Sequence, residues 1–155
     1  KNQNFIEYSE LGFIYLKKIS KIIKDNNGGL LLIDYGNKDK KMRNTLRGIS
    51  KHKFANILDD IGNVDITHNI NFELFRNYIR SIGELDSSLT TQKKFLIKMG
   101  IKERAERISK KHNFSKKADI YYRLKKLIDD KQMGSLFKVM LIKNKGCKFR
   151  LGFSN

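Results

Sequence analysis

The run from Gly28 to Gly36 constrains the fold of this chain more than any other segment. It reads Gly-Gly-Leu-Leu-Leu-Ile-Asp-Tyr-Gly, so glycine bounds a short apolar stretch that does not alternate with polar residues. Such a stretch is typical of a strand buried on both faces of a sheet. We therefore expect a buried strand over Leu30–Tyr35.

An amphipathic helix precedes this strand. Between Ser9 and Lys24 the apolar residues recur at offsets of three and four, namely at Phe13, Leu16, Ile19 and Ile23. That spacing predicts one buried stripe, with Ser9 as the N-cap and the Asn-Asn-Gly-Gly run at 26–29 as the end of the helix. A helix, a glycine turn and a buried strand together predict an α/β fold.

The rest of the chain continues this pattern. Residues 36–44 are a polar loop, and weak periodicity predicts irregular structure from Thr45 to Asp60. A second amphipathic helix is expected from Phe72, after the N-cap Asn71, to Gly83. The remaining expected elements are a short strand at Leu85–Leu89, helices at Gln92–Met99, Lys102–His112 and Lys117–Asp130, and a buried strand at Ser135–Ile142.

Composition excludes several classes of protein. The longest pure apolar run, at 30–33, is too short to span a membrane. A single cysteine, Cys147, excludes an intrachain disulfide and a cysteine cluster for a metal. The histidines 52, 68 and 112 are not at the spacing of metal ligands, so no metal site is predicted.

The formal charge of +17 admits a small basic nucleic-acid-binding module as an alternative. The charge does not require this function. Dispersed lysine suits a solvated surface, and abundant Lys, Asn and Ile are also produced by an A/T-rich codon pool.

Asp34, Tyr35 and Gly36 stand at the carboxyl end of the expected strand. Open α/β sheets bind ligands outside that edge, where an Asp can hold a cation and a Tyr can line a pocket. A turn with Asp as its former and Gly at positive φ explains the triplet equally well. Asp65 and Thr67 could likewise belong to an active-site loop, or serve as turn and capping residues before a helix.

From about Glu7 to Phe153 the chain resembles the C-terminal half of the MidA-like methyltransferases. That family includes a mitochondrial protein arginine methyltransferase that acts in complex I assembly. The resemblance is carried by six runs in the same order, at 28–36, 45–54 (Thr-Leu-Arg with His52 and Phe54), 65–67, 91–96, 99–105 and 133–139, and by Gly152-Phe153 at the end.

The resemblance implies an S-adenosylmethionine-dependent, seven-stranded Rossmann-like sheet. Leu30–Tyr35 would be its fifth strand, Leu85–Leu89 the sixth and Ser135–Ile142 the antiparallel seventh, with a helical insertion at roughly 91–132. Residues 1–155 would form the C-terminal part of one methyltransferase domain. The family's glycine-rich cofactor loop and acidic ribose-binding residue would precede Lys1.

The resemblance also implies a function and a site. The expected reaction is methylation of protein arginine, with a respiratory complex I subunit as a candidate substrate, in the bacterial cytoplasm or the mitochondrial matrix. The substrate-pocket candidates are Asp34, Tyr35, Gly36, Asp65 and Thr67, followed by Arg47 and His52. S-adenosylmethionine would be bound mainly by an N-terminal half, which could be separately encoded, so this chain alone is expected to be inactive.

One departure from the family pattern concerns the substrate pocket. Where the family usually has a second acid after the Asp-x-Thr run, this chain has Asn71. If that acid orients a substrate guanidinium, the change weakens substrate binding; if it only caps the helix, Asn serves as well. An inactive piece of a split gene is the remaining alternative.

Overall fold

The computed structural model describes residues 4–153, which form an α/β fold with a mixed sheet. Its helices are α1 (Glu10–Asp25), α2 (Phe72–Ile82), α3 (Gln92–Lys98), α4 (Ile101–Ser109), α5 (Phe114–Ile128) and α6 (Met133–Leu136). Its strands are β1 (Gly29–Asn37), β2 (Arg47–Ser50), β3 (Lys53–Ala55), β4 (Asp65–Thr67), β5 (Ile70–Asn71), β6 (Leu85–Thr91) and β7 (Phe137–Asn144). None of the helices in residues 4–153 is both long and apolar enough to cross a membrane.

The main sheet has the strand order β5-β1-β7-β6. β7 pairs antiparallel with β1, from Gly29 opposite Lys143 to Tyr35 opposite Phe137. It also pairs antiparallel with β6, so β1 and β6 run in the same direction. Their carboxyl ends consequently lie at one edge of the sheet, where β5 adds a short parallel pairing beside Gly36.

The core lies between this sheet and the helices α1 and α2. Phe72 and Ile79 of α2 and Met140 and Ile142 of β7 are fully buried, and Leu16 and Ile23 of α1 pack with them. The periodicity of α1 therefore predicted its buried face correctly.

The predicted ends of α1 and α2 are also confirmed. The helix predicted at Lys102–His112 instead ends at Ser109, and the one predicted at Lys117–Asp130 spans Phe114–Ile128, because Asn113 caps it. The Ser9 hydroxyl accepts a hydrogen bond from Gly12 N at 3.2 Å, which is the geometry of an N-cap. Gly83, with φ of 85°, ends α2, because the left-handed side of φ space is readily available only to glycine.

The prediction of irregular structure over Thr45–Asp60 was wrong. The segment contains β2 and β3, and β4 completes an antiparallel sheet in the order β3-β2-β4. These strands are three or four residues long, too short for a periodic pattern, and they are held by pairing with each other. Gly48 is required there, since a Cβ would lie 2.5 Å from the Ala55 carbonyl oxygen.

Two expectations about the long strands need correction. The strand predicted at Ser135–Ile142 is displaced, because 133–136 form the single turn of α6 and β7 begins at Phe137. The first strand is not buried on both faces. Leu31 and Ile33 are 44% and 49% exposed, because no helix among residues 4–153 covers that face of β1.

Candidate functional site

Asp34 and Tyr35 are exposed near the carboxyl end of β1. The Asp34 carboxylate accepts a hydrogen bond from Tyr35 N at 2.7 Å, and its side chain is otherwise open to solvent. The Tyr35 ring packs against Phe137 of β7 with 4.1 Å between the ring centroids. An available carboxylate and an aromatic pair therefore both lie near the edge where α/β sheets bind ligands, on opposite faces of β1 because successive strand residues alternate.

Gly36 is buried and allows two elements to approach β1. A Cβ at this position would lie 2.4 Å from the Ile70 carbonyl oxygen and 2.6 Å from Cε2 of Phe72. Its φ is not positive, so the alternative that glycine is needed for a left-handed turn is wrong. Because Gly36 has no side chain, β5 and the first residue of α2 can instead pack closely against the end of β1.

The small sheet, formed by β2, β3 and β4, holds three further candidates. Arg47 of β2 lies opposite Thr67 of β4, and Asp65 lies two residues earlier on β4. The Arg47 guanidinium is 5.6 Å from the centroid of the Phe54 ring, a cation–π distance. His52 lies apart from them, at the tip of the β2–β3 hairpin with φ of 64°.

The chain connects these two groups of residues directly. β4 ends at Thr67, and Ile70 of β5 pairs with Gly36. Three residues span at most about 10 Å, so Thr67 lies within that distance of Ile70, the residue that pairs with the end of β1. The structure thus connects Thr67, and with it Arg47, to the end of β1 only through residues 68–70, whereas His52 lies at the far end of the hairpin.

Asn71 acts as the N-cap of α2. Its Oδ1 accepts a hydrogen bond from Leu74 N at 3.1 Å, and its Nδ2 donates to the Asp39 carbonyl at 3.2 Å. Of the two roles left open by the sequence, capping is the one for which the structure shows contacts. The donor nitrogen also fixes the loop after β1, a contact that an acid could not make.

A cavity of about 250 Å³ lies beside this edge. Its lining includes the direct sequence neighbours of three candidates, namely Asn37, Leu46 and His68, but none of the seven candidates themselves. Glu7 also lines the cavity, and its carboxylate holds Thr45 through the backbone N at 2.8 Å and Oγ1 at 2.7 Å. Thr45 Oγ1 in turn accepts from Asn69 N at 2.9 Å.

The sequence did not indicate Glu7, Thr45 or Asn69 as parts of one site. The three residues come from separate segments, and Glu7 and Thr45 are 38 positions apart in sequence. Only the nearby Asp-x-Thr run and the Asn at 71 pointed toward this region.

Lys138 of β7 is paired with Asp34 of β1 on one side and with Thr91 of β6 on the other. Its ammonium donates a hydrogen bond to the Ser135 carbonyl. Partial burial, with Lys38 nearby as a second cation, lowers the pKa of Lys138 below the ordinary 10.5, and Asp39 opposes this effect.

Two solved α/β protein structures have a fold similar to that of this chain. An uncharacterized protein from Burkholderia thailandensis superposes with a TM-score of 0.75 at 21% identity, over 94% of this chain and 40% of that one. A member of the same superfamily from this bacterium, bound to S-adenosyl-homocysteine, gives a TM-score of 0.62 at 23% identity, over 83% and 33%.

The sequence places the chain within a family. Residues 1–91 match the family described as "Putative S-adenosyl-L-methionine-dependent methyltransferase", and the chain belongs to that family. The mitochondrial protein arginine methyltransferase NDUFAF7 of Xenopus laevis is 30% identical over 139 residues, and that of Danio rerio is 29% identical over 140. Each match covers 88% of this chain, which spans 31% and 32% of the two relatives, about a third of their length. The resemblance predicted from the motifs is confirmed.

Replacing Asn71 with Ala should reduce the free energy of unfolding by more than the loss of an ordinary N-cap, about 1 kcal/mol. The matched control is Asn113→Ala, which removes only the cap of α5, a 3.1 Å bond from Lys116 N. Asn71→Asp should be less harmful than Asn71→Ala, because a carboxylate still accepts from Leu74 N and suits the helix N-terminus. Urea denaturation measures all three variants. If Asn71→Ala lowers the free energy of unfolding no more than Asn113→Ala does, the role assigned to the contact with Asp39 is contradicted.

Lys138→Met should change the pH dependence of stability. Because the folded-state pKa of Lys138 lies below 10.5, the unfolded chain binds more protons than the folded one between the two values. The contribution of Lys138 to the free energy of unfolding therefore rises with pH across that window. It is lowest at lower pH, where the amine is charged in both the folded and the unfolded state. Urea denaturation from pH 7 to 10.5 should show a smaller rise, or a steeper fall, in the Met variant. An unchanged difference between the variants at every pH would contradict this.

Proposed function

We propose that this chain supplies the methyl-acceptor side of an S-adenosylmethionine-dependent methyltransferase that modifies arginine in proteins. One observation carries the proposal: in a member of this methyltransferase family, the exposed Asp34 carboxylate stands near the carboxyl end of a central strand of the sheet. The names of the frog and fish relatives support arginine as the acceptor.

The chemistry of Asp34 and Tyr35 suits an acceptor that is a cation. The Asp34 carboxylate can accept two parallel hydrogen bonds from a guanidinium and so fix its plane. The Tyr35 ring lies on the other face of β1 and would contact a different part of the substrate. S-adenosylmethionine would supply a sulfonium methyl group, which passes to a guanidinium nitrogen with release of S-adenosyl-homocysteine and a proton. The part of this chain would be to hold that nitrogen in line with the methyl group.

The small sheet would complete the acceptor pocket. Asp65 and Thr67 would add an acceptor carboxylate and a hydroxyl on β4, which the chain connects to the end of β1 through β5. Arg47 is a cation already packed on Phe54, so it would repel a substrate guanidinium and suit a backbone carbonyl or a carboxylate of the substrate. His52 is the weakest candidate because it lies at the hairpin tip.

We place most of the cofactor contacts outside this chain. Its sequence contains no GxGxxG loop, and the relatives are about three times as long as the matched region. A cofactor-binding portion, in the same polypeptide or as a separately encoded N-terminal half, would complete the domain. The ligand of the second Burkholderia structure supports S-adenosylmethionine as the cofactor. By the same resemblance, we propose a respiratory complex I subunit as the substrate and the mitochondrial matrix or bacterial cytoplasm as the location.

The 155-residue chain alone should not bind S-adenosylmethionine with micromolar affinity. It lacks the glycine-rich turn whose backbone N–H groups and close approach hold such a cofactor. Isothermal titration calorimetry of the folded chain checks this, with circular dichroism confirming its helix content. A micromolar dissociation constant would contradict the division of the site.

A chimera tests the acceptor role. In the Xenopus laevis relative, the matched third is replaced by this chain, and transfer of tritiated methyl from S-adenosylmethionine to mitochondrial proteins is measured. Asp34→Asn should reduce transfer at least 10-fold, because a neutral amide cannot balance the guanidinium charge, whereas Asp119→Asn on the outer surface of α5 should not. The label should be recovered in methylarginine after hydrolysis.

The outcomes separate the parts of the proposal. A chimera that is thermally stabilised by S-adenosyl-homocysteine but transfers no methyl group contradicts the acceptor role of this chain. Label in another amino acid contradicts the choice of arginine while leaving methyl transfer intact.

A further inference from the structure

The cavity beside the end of β1 combines a carboxylate with aromatic walls. Glu7 lines it together with four aromatic residues, Phe5, Tyr8, Phe13 and Phe75. The rings of Tyr8 and Phe13 stack with 5.1 Å between their centroids, and Phe75 packs edge-to-face against Phe13 at 5.2 Å. We call this space the Glu7 cavity.

The Glu7 carboxylate is held in one orientation by neutral donors. Its Oε1 accepts a hydrogen bond from Thr45 N at 2.8 Å, and its Oε2 accepts one from Thr45 Oγ1 at 2.7 Å. Thr45 is 7% exposed, and its hydroxyl oxygen accepts in turn from Asn69 N at 2.9 Å. A carboxylate can accept about four hydrogen bonds, so each oxygen of Glu7 can accept another.

No cation within residues 4–153 forms an ion pair with Glu7. Arg43 lines the cavity, but its guanidinium pairs with Asp39 at 3.2 Å. His68, the other basic residue of the lining, is exposed. The half-buried carboxylate of Glu7 is therefore partly withdrawn from water without an ionic partner in this part of the chain.

These features favour an organic cation as the ligand. A neutral apolar occupant would exclude water from the Glu7 carboxylate and leave its charge unpaired, and an anion would be repelled. A cation instead forms charge-assisted hydrogen bonds with the carboxylate and packs against aromatic rings. The volume of about 250 Å³ is below the roughly 300–1,000 Å³ of small-molecule pockets, so a single side chain suits it better than a cofactor.

The Glu7 cavity lies on the same face of the sheet as Asp34. Side chains alternate along β1, so Asp34 shares the face of Leu30 and Leu32, which pack against the core formed with α1 and α2. Residues of α1 and α2 also line the cavity. Asn37, a further lining residue, follows Asp34 by three positions, about 10 Å along the strand. An extended peptide covers that distance in about three residues.

We infer that the Glu7 cavity binds a second basic side chain of the protein substrate, about three residues from the arginine that receives the methyl group. The cation site follows from the contacts of Glu7. Its assignment to the substrate rests on the proposed function, which places the acceptor arginine at Asp34. A substrate segment with two basic residues would thus be held at two carboxylates on one face of the sheet.

Two-dimensional ¹H–¹⁵N NMR of the 155-residue chain tests the cavity. The probe is N-acetyl-arginine methylamide, and its control is the citrulline analogue, in which an uncharged urea group replaces the guanidinium. The arginine probe should shift the amide signals of Thr45 and Asn69, because both belong to the hydrogen bonds that lead to Glu7. The citrulline analogue should bind at least 10-fold more weakly, since it brings no charge to the carboxylate. Equal affinities, or no shifts at these amides, overturn the inference.

Variants locate the bound probe, with circular dichroism confirming the fold of each. Glu7→Gln keeps the size of the side chain and removes its charge, so it should weaken binding at least 10-fold. The matched control is Glu10→Gln, which should change the affinity less than 2-fold, because Glu10 is exposed in the first turn of α1 and does not line the cavity. Leu74→Phe narrows the cavity without altering the bonds of Glu7 and should also weaken binding. Equal effects of the two charge variants, or binding unchanged by Leu74→Phe, exclude the cavity as the site.

Peptides test the assignment to the substrate. A peptide with two arginines three positions apart should bind at least 10-fold more tightly than versions in which either arginine is citrulline. Asp34→Asn and Glu7→Gln should each remove most of that gain, and a peptide that gains nothing from its second arginine overturns the assignment. None of these measurements needs methyl transfer. A chimera that transfers no methyl group while arginine still binds at Glu7 refutes the proposed function and not the cavity site, and the reverse result refutes the cavity site alone.

Discussion

The antiparallel pairing of β1 with β7 is the contact on which the rest of the fold depends. It joins segments more than 100 residues apart, in a register that runs from Gly29 and Lys143 to Tyr35 and Phe137. β6 is attached to the outer side of β7, and β5 to the end of β1. Closing such a long loop is entropically costly, and the burial of Met140 and Ile142 beneath α1 and α2 offsets that cost.

Elements that carry their own signal could be predicted from the sequence. The stripe of α1 and the N-cap and terminal glycine of α2 depend on residues within one or two turns, and both helices formed as expected. The hairpin of β2 and β3 could not be predicted, because strands of three or four residues are specified by their partners. The exposed face of β1 could not be predicted either. Four consecutive apolar residues indicate that both faces can be buried, but not which part of the protein buries them.

The candidate site also has parts that could be predicted from the sequence and parts that could not. The Asp34-Tyr35-Gly36 triplet was recognisable because it directly follows the apolar run at 30–33, and Gly36 has a structural role in the close approach of Ile70. The bonds from Glu7 to Thr45 and from Thr45 to Asn69 join distant segments and left no local pattern. They fix the loop after β1 and the turn before β5, and so determine the shape of the cavity more than the candidates do.

The positive charge of the chain does not oppose a cationic acceptor at this edge. At physiological ionic strength, exposed charges are screened over about 8 Å, so most of the lysines contribute little at Asp34. A guanidinium in contact with the Asp34 carboxylate interacts at hydrogen-bond distance, where the attraction of a single pair exceeds the residual field of many remote cations. The nearest basic groups are more important. Burial lowers the pKa of Lys138, and Asp39 pairs with Arg43 at 3.2 Å. The local balance at the end of β1 is thus closer to neutral than the +17 of the whole chain implies, and substrate selection would depend on that local balance.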